Sequence, residues 1–85
     1  MQQFMRKFEQ LNGKMAKVIL NHCLFGKQVF YCDNLQTISD DKRIGVILKD
    51  QAKYVDKQNI MVMKFEEDIC EIADDRLTIT INVNK

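Results

Sequence analysis

The sequence predicts a mainly β chain: a small, strongly bent β-barrel with a short N-terminal α-helix and an added C-terminal β-hairpin. Three observations predict it. Helical periodicity is confined to the first dozen residues, a period of two runs through most of the rest, and short polar turn sequences interrupt it at close intervals. With 85 residues, one domain is expected over 1–85: the helix over 1–12, barrel strands over 13–65 and the hairpin over 66–85.

Met1, Phe4, Met5, Phe8 and Leu11 recur at spacings of three and four, with Gln2, Arg6, Lys7 and Glu9 between them. That stripe marks an amphipathic helix that must pack on something to persist. Asn12-Gly13 ends it, since both residues tolerate a left-handed backbone. From there Ala16, Val18 and Leu20 form one apolar face of a strand over 15–20. Asn21 to Gly26 reads as a loop. Gln28 to Ile38, dense in Val, Phe and Tyr at its start, reads as a second strand, long and bent.

Ser39-Asp40-Asp41-Lys42 is a turn, because short acidic and hydroxyl side chains bond their own backbone there. The third strand, Arg43 to Lys49, places Ile44, Val46 and Leu48 on one face and Gly45 on the other, where a sheet bends or a second backbone comes close. Asp50-Gln51 turns the chain into a short strand over Ala52 to Val55. Asp56 to Asn59 is a tight polar connection to a fifth strand, Ile60 to Phe65. Ile69 to Ile72 and Leu77 to Val83 follow, joined at Asp74-Asp75, with Leu77, Ile79, Ile81 and Val83 facing inward.

Composition limits function. Thirteen basic and twelve acidic side chains leave +1, so no global field marks a polyanion as partner. The distribution is uneven: residues 1–64 hold eleven basic and six acidic groups, and 65–85 hold two and six. No stretch approaches the roughly 20 apolar residues that cross a bilayer, and a cytoplasmic location without membrane contact is expected. Cys23, Cys32 and Cys70 suit reduced thiols better than a disulfide framework. The single His22 and single Ser39 do not supply a nucleophilic triad, and His22 and Cys23, adjacent on an extended chain, point apart. Asp40-Asp41 and Asp74-Asp75 are explained by turn chemistry. The sequence calls for no enzyme activity, cofactor or metal.

Leu11-Asn12-Gly13-Lys14 leads from the helix into the first strand, Gly26 stands just before the second and Asp33 within it, and Tyr54 to Ile60 followed by Met61-Val62-Met63 gives short strand, turn and strand. These residues, in this order, resemble the Sm-like barrel family of Sm, LSm and Hfq proteins, with SH3-like barrels sharing much of the alternation. The resemblance covers residues 4–65, and Lys57 stands where the second motif of the family carries arginine. It implies a homo-oligomer, of which a ring is one form, that binds single-stranded RNA on one face. Basic and amide groups on adjoining loops, with an aromatic to stack a base, would serve that role. The candidates are Lys57, Gln58 and Asn59, Lys42 and Arg43, and Tyr31 and Tyr54. Ile60, Met61, Val62, Met63 and Phe65, apolar on both strand faces, are candidates for the interface between copies. The alternative is a structural or adaptor barrel that contacts other proteins and binds no nucleic acid.

Overall fold

The computed structural model describes residues 2–83; Met1 of the helical stripe and the last two residues of the expected hairpin lie outside them. Helix α1 spans Gln2–Glu9. It ends three residues before the expected stop because the chain tightens: the Leu11 and Asn12 amides donate to carbonyls three residues back, at 3.0 and 3.2 Å. Gly13 then takes a positive φ of 88°. Phe8 and Leu11 are buried, and Phe4 and Met5 pack against the same core.

Eight strands follow: β1 (Ala16–His22), β2 (Gly26–Cys32), β3 (Gln36–Ser39), β4 (Arg43–Leu48), β5 (Gln51–Asp56), β6 (Val62–Glu66), β7 (Ile69–Ala73) and β8 (Leu77–Val83). A 3-10 turn, Lys57–Asn59, joins β5 to β6. The long second strand expected over 28–38 is two strands in different sheets. Its break is held by the post-helix segment: Gly13 N–H donates to the Leu35 carbonyl at 2.6 Å, and Leu35 N–H donates to Lys14 at 2.9 Å. Leu35, at the corner, is fully buried.

The turn expected at Asp50-Gln51 falls one residue earlier. Lys49 and Asp50 take φ of 48° and 71° between the paired Leu48 and Gln51. Positive φ at both central residues is the two-residue hairpin geometry that matches strand twist.

One sheet has the order β2-β1-β8-β7-β6 and the other β3-β4-β5, antiparallel at every pairing. The expected closed barrel is not formed among the described residues, because no strand pairing joins the two sheets. What holds is the mainly β class. The last strand, β8, lies between β1 and β7, so it fills the second edge of β1 and leaves β6 at the rim.

Alternation explains the burial. Ala16, Val18 and Leu20 of β1, Ile44, Val46 and Leu48 of β4, and Ile79 and Ile81 of β8 turn one face inward and share a single core with Val55, Cys70 and Ile72. Leu77 and Val83 are half-buried at the ends of β8. No charged or polar side chain is buried among the described residues, so the core is held by apolar packing alone. No described helix is long and apolar enough to cross a membrane.

Candidate functional site

Five of the seven residues expected to contact RNA gather at one end of the three-stranded sheet. Asp40 organises it: its Oδ1 accepts the N–H groups of Lys42 at 2.8 Å and Arg43 at 2.7 Å, closing the β3–β4 turn. Those two hydrogen bonds, more than nearby positive charge, hold its carboxyl below the ordinary carboxylate range. The Lys57 amide donates to the Lys42 carbonyl at 2.8 Å, which brings the 3-10 turn beside that loop. Lys42, Lys57 and Gln58 line a cleft of about 370 Å³ with Asp41 and Asp56.

Arg43 lies over the Tyr54 ring, 4.8 Å from its centroid, and 3.9 Å from the Asp40 carboxylate. A hydrogen bond with Tyr54, then the Asp40 charge, raises the guanidinium pKa further. Arg43 is thus already engaged. Three cations, Lys42, Arg43 and Lys57, are interleaved with Asp40, Asp41 and Asp56, so this end has no excess positive charge to meet phosphates. Asn59 turns away, lining a second cleft of about 490 Å³ with Asp56, Met61, Asp74, Asp75 and Arg76. Tyr31 lies on β2, in the other sheet.

The residues expected between copies divide. Met61 is exposed, whereas Ile60, Val62, Met63 and Phe65 are half-buried. Phe65 is taken up within the chain: its ring packs 5.2 Å from Phe4, and Lys7 Nζ lies 6.0 Å from its centroid. On the outer face of β6, Lys64 pairs with Glu71 of β7 at 3.6 Å. The rim at β6 is therefore partly covered by α1 and partly polar.

The most exposed large apolar side chains lie elsewhere, Leu24 and Phe25 at the tip of the β1–β2 hairpin and Tyr31 along β2. Leu24 and Phe25 are each 79% exposed, Tyr31 76% and Val29 41%. The tip is built. Leu24 N–H donates to His22 Nδ1 at 3.0 Å, the His22 and Phe25 rings lie 4.7 Å apart, Cys23 N–H donates to the Arg76 carbonyl at 2.9 Å, and Gly26 takes φ of 79°. Burying a leucine or phenylalanine stabilises by about 1.5–3 kcal/mol, and this turn holds one of each in water. With its Nδ1 occupied by a backbone amide, His22 is fitted to shape the turn.

β2 is an edge strand with no second neighbour among the described residues. Beside it runs a cleft of about 540 Å³, with Val29 to Asn34 along one wall and Ile47 to Asp50 along the other. Lys49 Nζ reaches over the Phe30 ring at 5.8 Å, and Lys17 Nζ over Tyr31 at 5.9 Å. Sequence reading passed over this surface by treating Asn21 to Gly26 as a plain loop. Its signal was two large apolar residues, Leu24 and Phe25, side by side in a turn immediately before Gly26.

Among the described residues, no group of three His, Cys, Asp or Glu side chains is placed to hold a metal ion. The chain matches no family model, no curated protein and no solved structure.

Proposed function

We propose that this chain is a non-catalytic contact module, binding another protein strand along the open edge of β2 and burying the Leu24-Phe25 tip against it. The observation that carries this reading is the coincidence of an unpaired seven-residue edge strand with the most exposed apolar side chains of the fold. Soluble domains blunt such edges with charge, proline or a covering segment, whereas β2, with Lys27 as its single charge, leaves Val29 and Tyr31 exposed. Strand addition supplies affinity through main-chain hydrogen bonds and specificity through alternate side chains, and the cleft beside β2 gives those side chains a place. The experiment is co-purification with a tagged chain. Val29→Lys, with circular dichroism and melting unchanged, should lose stoichiometric partners that the original chain retains; equal retention would overturn the reading.

A second reading keeps the Sm-like homo-oligomer and single-stranded RNA. The gathering of Lys42, Arg43, Lys57, Gln58 and Tyr54 at one end favours it, as does the helix leading through Gly13 into β1, with β2 and β3 carrying the chain from one sheet to the other. Repetition of that end around a ring would add weak contacts by avidity. Anisotropy of a short labelled RNA over a salt series tests it: affinity should fall steeply with salt and fall again in Lys57→Ala, and salt-independent or absent binding would count against it.

A further inference from the structure

We propose that the strand received by β2 is β2 of a second copy of the same chain, paired antiparallel about a two-fold axis through Phe30. This rests on the contact-module reading and names its partner.

The argument is one of self-complementarity. In β2 the odd residues Lys27, Val29 and Tyr31 share the outer face with Lys17 and Ile19 of β1, to which the register joins them. A two-fold axis perpendicular to the sheet preserves faces, so only registers that set odd residues against odd residues continue both sheets in one surface. Among those, the register centred on Phe30 sets Lys27 against Asp33 and Val29 against Tyr31, each twice. Lys27 and Asp33 are both exposed, and neither forms an ion pair among the described residues. Lys27 is the second residue of β2 and Asp33 follows its last residue, Cys32, so they stand three residues either side of Phe30, as the two halves of a reciprocal charge pair must.

The register centred on Val29 instead brings Phe25 against Asp33 and leaves Lys27 opposite Tyr31. The register centred on Tyr31 sets Lys27 against Leu35 and Val29 against Asp33, so of the three only the one centred on Phe30 gives Lys27 and Asp33 an opposite charge, and charge complementarity selects it. In the selected register the partner strand runs along the cleft walled by Val29 to Asn34 and carries the partner tip, Phe25 and Leu24, past Asn34 toward Gln36 and Ile47. Gln36 and Ile47 are cross-strand neighbours, and Ile47 is 38% exposed. Both tips, the most exposed apolar residues of the fold, would be buried by one symmetric contact.

The test is light scattering of the purified chain over a concentration series. The original chain should reach twice its 10.0 kDa mass. Lys27→Glu and Asp33→Lys, each placing like charges together twice, should each raise the dimer dissociation constant at least tenfold. Mixing the two variants should restore the dimer, because every facing pair is then of opposite sign. A chain monomeric at all concentrations, single variants that dimerise like the original, or a mixture that stays monomeric would overturn the proposal. A monomer whose Val29→Lys variant still loses a co-purifying protein overturns self-pairing and leaves the contact module. A monomer indifferent to Val29→Lys overturns both.

Discussion

Gly45 on β4 and Tyr54 on β5 are cross-strand partners held so closely that a methyl group on Gly45 would lie 2.5 Å from the Tyr54 Cα and would also meet the Lys53 carbonyl oxygen. The neighbours are backbone, which yields little. Glycine permits this approach, with Ile44, Val46 and Leu48 in the core while Tyr54 receives Arg43 on the other face. Gly45→Ala should therefore destabilise by about 1–3 kcal/mol, the usual range for forcing atoms into packed structure. Urea unfolding measures it, and an unchanged midpoint would refute the close approach.

The central position of β8 makes its inward residues costly to shorten. Ile81 faces Val18 on one side and Cys70 on the other and is fully buried. Ile81→Ala should cost about 2–5 kcal/mol, while Thr80→Ala on the outer face should stay within about 0.5 kcal/mol. Comparable losses from both would contradict the assigned faces.

The three thiols should separate kinetically. Cys23 is exposed in the hairpin turn, Cys32 is half-buried, and Cys70 is fully buried in the core, its thiol pushed up to about 12 by burial and then by the Glu71 charge. Since the thiolate is the nucleophile, a disulfide reagent at pH 8 should modify Cys23 first, Cys32 more slowly and Cys70 only on unfolding. Mass spectrometry over time reads the order, and early labelling of Cys70 in the folded chain would contradict the core.

The Asp40 turn carries a pH dependence of definite sign. Its carboxyl is held below its ordinary value of 3.8 in the folded chain, so its hydrogen bonds to Lys42 and Arg43 contribute stability fully above that value. The contribution is lost as pH falls below 3.8 through the folded value. The stability gap between the original chain and Asp40→Ala should be constant near neutrality and narrow in that acid window. A gap that widens on acidification would reverse the assignment.

The strands and their inward faces were legible because alternation is local: β1 and β4 bury the residues their sequences mark out, and β8 buries Ile79 and Ile81 while Leu77 and Val83 at its ends are half-buried. The split at Leu35 was not, because it depends on hydrogen bonds from Gly13 and to Lys14, which are distant in sequence. Nor did the sequence reveal that Phe65 would be covered by Phe4, or that β8 would lie beside β1, since pairing order is a long-range property. The basic cluster was half legible. Lys42, Arg43, Lys57, Gln58 and Tyr54 do meet, but the way Asp40 and Tyr54 occupy Arg43 follows only from the turn geometry. The exposed tip was missed for a physical reason: the sequence read Leu24 and Phe25 as loop, whereas the His22 and Gly26 geometry that holds both in water appears only in three dimensions.

The measurement that tests the account most directly is photo-crosslinking in living cells with a reactive amino acid placed, in separate experiments, at Tyr31, Met61 and Lys57. These mark the β2 edge, the β6 rim and the basic end. The account expects discrete protein adducts from Tyr31, abolished by Val29→Lys, and few from the other two. Adducts confined to Met61, or RNA crosslinked at Lys57 with Tyr31 silent, would contradict it.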